Sequence, residues 1–213
     1  MRKQQALTNL LLEAGLRTIR PIARPRLEMV SAELTDEIFD LYRTLGGRLA
    51  RPRLLPGSWD ISLADNLAIE LDEQLHFNRY RTLTLTQSWA SPLPWRVDYL
   101  KLCLDREATC LRASHGGKWT NPSCETMFGP GDPIQQLGSR GAPRWKQRAL
   151  YDAMKDAYAL SNSDVRLARI STHDVVNGVV LSDILEGRTE CDLAALVAHI
   201  KSRTASTTKQ CAT

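Results

Sequence analysis

Asp60, Glu70, Asp72 and His76 lie close together in the chain and are of types that can do chemistry in concert. Trp59 to Leu63 and Leu67 to Leu71 alternate apolar and polar positions, which predicts two short strands. Side chains alternate faces along a strand, so Glu70 and Asp72 share one face while Ile69 and Leu71 share the other. A turn at Asp65-Asn66 then brings Asp60 beside Glu70. Three carboxylates next to an apolar layer repel one another unless a cation or protons offset the charge. Hard oxygen ligands on strands suit Mg²⁺ or Mn²⁺, which can lower the pKa of a bound water and stabilise the charge building on a phosphodiester. The same alternation also fits an exposed acidic face on an edge strand, and the pattern alone leaves both open.

The elements that must position these residues follow an α/β pattern. Leu7, Leu10, Leu11 and Ala14 predict an amphipathic helix over 7–16. Thr35 caps a second helix, with Ile38, Leu41, Tyr42 and Leu45 on one face and Gly46-Gly47 as its stop. From Arg53 the period shortens, and runs at 54–55, 59–63 and 67–71 read as a small antiparallel meander. Residues 79–85 read as helix, and 97–104 as a strand or short helix. Pro143 opens a helix over 144–160 whose buried stripe holds Leu150, Met154, Ala157 and Tyr158, with Gln147 at its N-terminal end. A strand over 165–170 and a helix over 192–200 follow. One domain is expected, with its core at 33–86 and 143–200, a loop-rich insertion at 87–142 and a disordered tail at 203–213.

Asp60, a turn, Glu70-x-Asp72 and His76, then Tyr80-Arg81-Thr82 and Leu85, resemble the PD-(D/E)XK nuclease superfamily, above all its very-short-patch-repair-like endonuclease branch. The resemblance covers residues 53–86 and 144–175. It implies a restriction-endonuclease-like α/β core, a small mixed β-sheet flanked by helices. It also implies Mg²⁺- or Mn²⁺-dependent hydrolysis of DNA in restriction, phage defence or repair. Asp60 and Glu70 would be the main metal ligands, with Asp72 able to join them. Asp72 stands where the superfamily usually has Lys, so the charge that meets the phosphate must come from elsewhere. Lys146 or Arg148 could supply it, or Gln147 a donor, from the helix at 144–160. His76 would act as general base or phosphate donor, and Glu37 resembles an upstream acidic residue of some members. Arg79, Arg81, Arg144 and Arg148 would meet the phosphates of double-stranded DNA, and a homodimer would let two sites cut both strands. The missing Lys keeps a non-catalytic nucleic-acid-binding or regulatory module on the same fold as the alternative.

Across 213 residues, 28 Lys and Arg against 24 Asp and Glu leave a net charge of only +4, so overall charge does not diagnose a partner. Distribution says more. Arg17, Arg20, Arg24 and Arg26 form one basic stretch, Arg48, Arg51 and Arg53 another, and Arg140, Arg144, Lys146 and Arg148 a third. The planar guanidinium fork suits phosphate. Hydrophobic residues at 43% and charged residues at 24% argue against wholesale disorder. No apolar run reaches the roughly 18 residues needed to span a bilayer. A basic start broken by Thr8, Asn9 and Glu13 makes a poor signal peptide, so a reduced, cytoplasmic chain is expected. Cys103, Cys110, His115 and Cys124 are zinc-type ligands, but without a C-x₂-C pair a structural zinc is not expected. Gly129 to Pro133 and Gly138 to Gly141 read as turn-rich loops and lack a phosphate-cradle pattern.

Overall fold

Alternation along β2 (Leu67–Asp72) sends Leu67, Ile69 and Leu71 to one side of a sheet and Ala68, Glu70 and Asp72 to the other. The structure, a computed structural model, describes residues 3–205. Both faces of β2 are buried throughout, so the exposed acidic strand face does not occur. β1 (Ile61–Leu63) pairs antiparallel with β2 across the Asp65-Asn66 turn, and both turn residues take positive φ (59° and 53°), which their short polar side chains tolerate. β3 (Arg166–Ser171) pairs parallel with β2 in a register that sets Arg169 opposite Glu70. β6 (Thr204–Ala205) completes the sheet, whose order is β1-β2-β3-β6.

Two layers of helix cover this sheet. Ile69, Leu71 and Ile170 pack with Leu7 and Leu11 of α1 (Lys3–Glu13). Leu181 of α7 (Leu181–Leu185) and Leu196 of α8 (Leu193–Ser202) close the same cluster. On the opposite face α6 (Pro143–Ser161) sets Leu150, Ala153, Met154 and Ala157 in one cluster with Ala68 and Leu167. Against α6 lie α2 (Ala32–Thr44), capped by Ser31, and α3 (Arg79–Leu85), capped by Asn78. A separate ribbon, β4 (Val175–Val176) with β5 (Val179–Val180), precedes α7. The architecture is mixed α/β with a small mixed sheet flanked by helices. Among the described residues no helix is long and apolar enough to cross a membrane.

Several expectations change. Residues 54–55 form no strand, so the meander reduces to β1 and β2. The 87–142 region is not loop-rich: it contains α4 (Arg96–Ala113), α5 (Pro122–Phe128) and single 3₁₀ turns at 88–90 and 116–118. Helix α4 hides its period because it buries Tyr99, Cys103 and Cys110 while Val97 (72% exposed) and Leu104 (83%) face out. At the C-terminal end Arg203 is buried and pairs with Asp98, and Thr204–Ala205 are strand, so the tail does not begin at 203. The rest of that expected tail lies outside the described residues.

Candidate active site

Because Ile61 pairs with Ile69, position 60 continues the ladder opposite position 70. The Leu71 backbone N–H donates to Asp60 Oδ2 at 2.9 Å, which fixes that carboxylate at the strand end. Asp60 and Glu70 share the wall of a cavity of about 470 Å³. Burial, the main cause for both, pushes the Asp60 carboxyl above its usual range and Glu70 up to about 7. Neighbouring carboxylates add to this, Asp60 and Asp72 raising Glu70 and Asp72 raising Asp60, a crowding of negative charge that a bound cation relieves.

The charge opposite them comes from α6. Lys155 Nζ donates to Glu70 Oε1 at 2.6 Å and to the Ser58 carbonyl at 3.0 Å, and it lies 5.4 Å from the centre of the Trp59 ring. Helical spacing places Arg144, Arg148, Tyr151, Asp152 and Lys155 on one face of α6, and all five line the cavity. Lys118 adds a further cation at the rim. A cavity with acidic groups at its base and cations along one wall can hold a divalent ion and a phosphate side by side.

Behind this wall lies a buried ion-pair network. Arg169 Nη1 donates to both oxygens of Asp72 at 2.9 and 2.7 Å, and its Nε donates to Asp156 at 3.0 Å. Arg81, also fully buried, donates to the other oxygen of Asp156 at 2.8 Å. His76 connects the network to the cavity, with Nδ1 at 2.8 Å from Asp152 and 3.1 Å from Asp72. Burial works against the Asp152 charge, but His76 and Arg169 outweigh it and hold that carboxyl well below the usual range. Burial likewise opposes the Arg169 charge, and Asp156 and Asp72 overcome it, keeping the guanidinium charged.

Asp72, His76 and Asp152 offer three ligand atoms within 4.8 Å of one another, the one such group among the described residues. Arg169 already donates to both of those carboxylates, so a divalent ion would sit against a guanidinium that cannot release its proton. This cluster is therefore an ion-pair core, and Asp72 does not fit the metal role expected of it. Asp60 and Glu70 do fit a hard divalent ion: they are oxygen donors on facing ladder positions, they line a cavity, and the one cation bonded to them, Lys155, reaches a single oxygen of Glu70.

The remaining sequence candidates fall in different places. Lys146 and Gln147 do not line the cavity. Lys146, two residues after Arg144, is turned to the far side of the helix, while Gln147, three residues after it, lies at the edge of that face and opens on the neighbouring cavity beside Arg144. Lys146 instead packs its Nζ 5.6 Å from the Tyr80 ring and 6.0 Å from the Phe128 ring. Gln147 donates to Ser123 Oγ at 3.0 Å in a neighbouring cavity. Arg81 is consumed by Asp156 and is 1% exposed, so it cannot meet a phosphate in this structure. Arg79 makes a two-pronged pair with Glu107. Glu37 lines a separate cavity with Glu33, Trp89 and Leu160. Cys103, Cys110 and Cys124 are buried free thiols, and Cys124 caps α5 through the Asn121 backbone. Lys155, Asp152, Asp156 and Arg169 were not anticipated from the sequence.

Against known proteins, a family model described as a family of unknown function (DUF7255) matches residues 40–187. That span runs from α2 to the end of α7 and includes every residue of the cavity. No curated protein and no solved structure matches.

Proposed function

We propose that this chain, which belongs to the DUF7255 family of unknown function, is a divalent-metal-dependent phosphodiesterase that cuts DNA. One observation carries the reading: Asp60, Glu70 and Lys155 meet at the floor of a cavity walled by Lys118, Arg144 and Arg148. Asp60 and Glu70 would hold Mg²⁺ or Mn²⁺, which supplies Lewis-acid chemistry by acidifying water and neutralising phosphate charge. Lys155 stands in for the strand lysine that Asp72 replaces. Its ammonium is held by Glu70 and the Ser58 carbonyl, within reach of the charge that grows on a phosphate in the transition state. Water gives up a proton to solvent and adds to phosphorus while one ester oxygen departs, and that oxygen must gain a proton. With Nδ1 occupied by Asp152 and Asp72, His76 has Nε2 free to deliver it. Arg144 and Arg148 orient the phosphate from the N-terminal turns of α6.

Plasmid and linear DNA incubated with Mg²⁺ or Mn²⁺ test this, with EDTA and Asp60→Ala as controls. Cleavage that both controls abolish is the expected result. No metal-dependent cleavage of duplex, single-stranded or branched DNA would overturn it. A second reading has its own observation, since Glu70 and Asp72 are already matched by Lys155 and Arg169 without any metal. A non-catalytic nucleic-acid-binding module on this fold would then bind DNA with the same affinity in EDTA and in Mg²⁺.

A further inference from the structure

A second cavity, of about 580 Å³, adjoins the first and shares Gly57, Arg144 and Tyr151 with it as common walls. Its size falls within the about 300–1,000 Å³ typical of small-ligand sites. Leu49, Leu55 and Met127 give it apolar surface, while Asn121, Ser123 and Gln147 add amide and hydroxyl groups. Gln147 is buried, and its amide is fixed: Nε2 donates to Ser123 Oγ and to Met127 Sδ, and Oε1 accepts from Arg144. That last bond ties the wall of the second cavity to a guanidinium that faces the first. Apolar surface mixed with a few amide and hydroxyl groups in a cavity of this size suits an unstacked nucleobase.

We infer that the second cavity is a base subsite, taking the unpaired nucleobase of the nucleotide whose phosphate lies against Arg144. Tyr151, on the shared wall, offers its ring as the stacking partner between the two compartments. The inference rests on the nuclease reading for its orientation. It narrows the substrate to DNA carrying an unpaired nucleotide at the cleaved bond: a single strand, a gap or a flipped-out base.

The test is binding in EDTA, where no cleavage occurs, measured by fluorescence anisotropy with a labelled single-stranded 12-mer, the same sequence as duplex, and a one-nucleotide-gapped duplex. A 2-aminopurine in the gap reports whether the base leaves the stack. The single strand and the gapped DNA should bind about tenfold or more tighter than the duplex, with a change in 2-aminopurine emission. Thr126→Trp and Leu55→Trp, each placed at an exposed wall position, should fill the cavity and bring all three affinities together. Circular dichroism confirms folding, and two independent wall positions guard against one variant failing to fold. Equal affinity for all three DNAs in the unaltered protein, or a preference that survives both fillings, overturns the subsite. Metal-dependent cleavage of duplex alongside equal binding would sink the subsite and leave the nuclease reading standing. Single-strand preference without cleavage of any DNA would do the reverse.

Discussion

Lys155 on α6 and Glu70 on β2 stand 85 residues apart in the chain, yet their charged atoms meet at 2.6 Å. The contact exists because α6 lies in the crossover between the parallel strands β2 and β3, which lays the helix over the strand ends. An ammonium carried by a helix thus reaches the strand glutamate from across the sheet.

If Lys155 meets transition-state charge, Lys155→Met should lower cleavage by about 100- to 1,000-fold while DNA affinity stays nearly constant. Single-turnover kinetics at saturating DNA separates the two. A variant that loses affinity and rate together would assign Lys155 to ordinary phosphate binding.

The Glu70 carboxyl gives a pH signature to the metal-free protein. Burial raises it from the usual 4.5 to about 7 in the folded chain, so between these values the folded state holds a proton that the unfolded state has lost. Stability in EDTA should therefore fall as pH rises through that interval and level off above it, by about 3 kcal/mol for this group. Asp60, also raised, adds a fall of the same sign at lower pH. Glu70→Gln should remove most of the slope, as read by urea denaturation across the interval. Added Mg²⁺ should stabilise the protein more at the upper end, where it no longer competes with the proton.

Asp72 separates a ligand from an anchor. Asp72→Asn leaves the buried Arg169 without its two-oxygen partner and should cost about 3–5 kcal/mol, while Mn²⁺ affinity of the folded protein persists. Asp60→Asn should do the opposite, abolishing Mn²⁺ binding with little loss of stability, because burial already disfavours that charge. Calorimetry for Mn²⁺ and thermal denaturation for stability check both arms. Loss of Mn²⁺ binding in a folded Asp72→Asn protein would restore Asp72 as a ligand.

The strand carboxylates were legible because period-2 alternation is local, and Asp60 opposite Glu70 follows from a turn whose residues announce it. Helix α6 was legible from Pro143 and its apolar stripe, but its chemistry was not. Asp152, Lys155 and Asp156 are polar positions that would normally face solvent, and only the tertiary fold buries α6 almost all round. The available signal was the spacing of Arg144, Arg148, Asp152 and Lys155, a polar stripe along one face. Lys146 is turned away from that stripe, and Gln147 sits at its edge beside Arg144. Arg169 lies on the strand expected over 165–170, but its role depends on Asp72, 97 residues away in the chain, and on Asp156 in the preceding helix.

Salt dependence discriminates the basic groups that face DNA from those spent inside the fold. Each phosphate contact releases condensed counterions, so log affinity falls with log salt in proportion to the number of contacts. Lys118, Arg144 and Arg148 line the cavity, and replacing any one with Ala should reduce the slope by about 1. Arg79 is committed to Glu107 through both Nε and Nη2, so Arg79→Ala should leave the slope unchanged. Anisotropy titrations of labelled DNA in EDTA over a range of KCl measure this without cleavage. If Arg79→Ala lowers the slope as Arg144→Ala does, the DNA path runs across α3 and α4, and the wall formed by α6 is not its main contact.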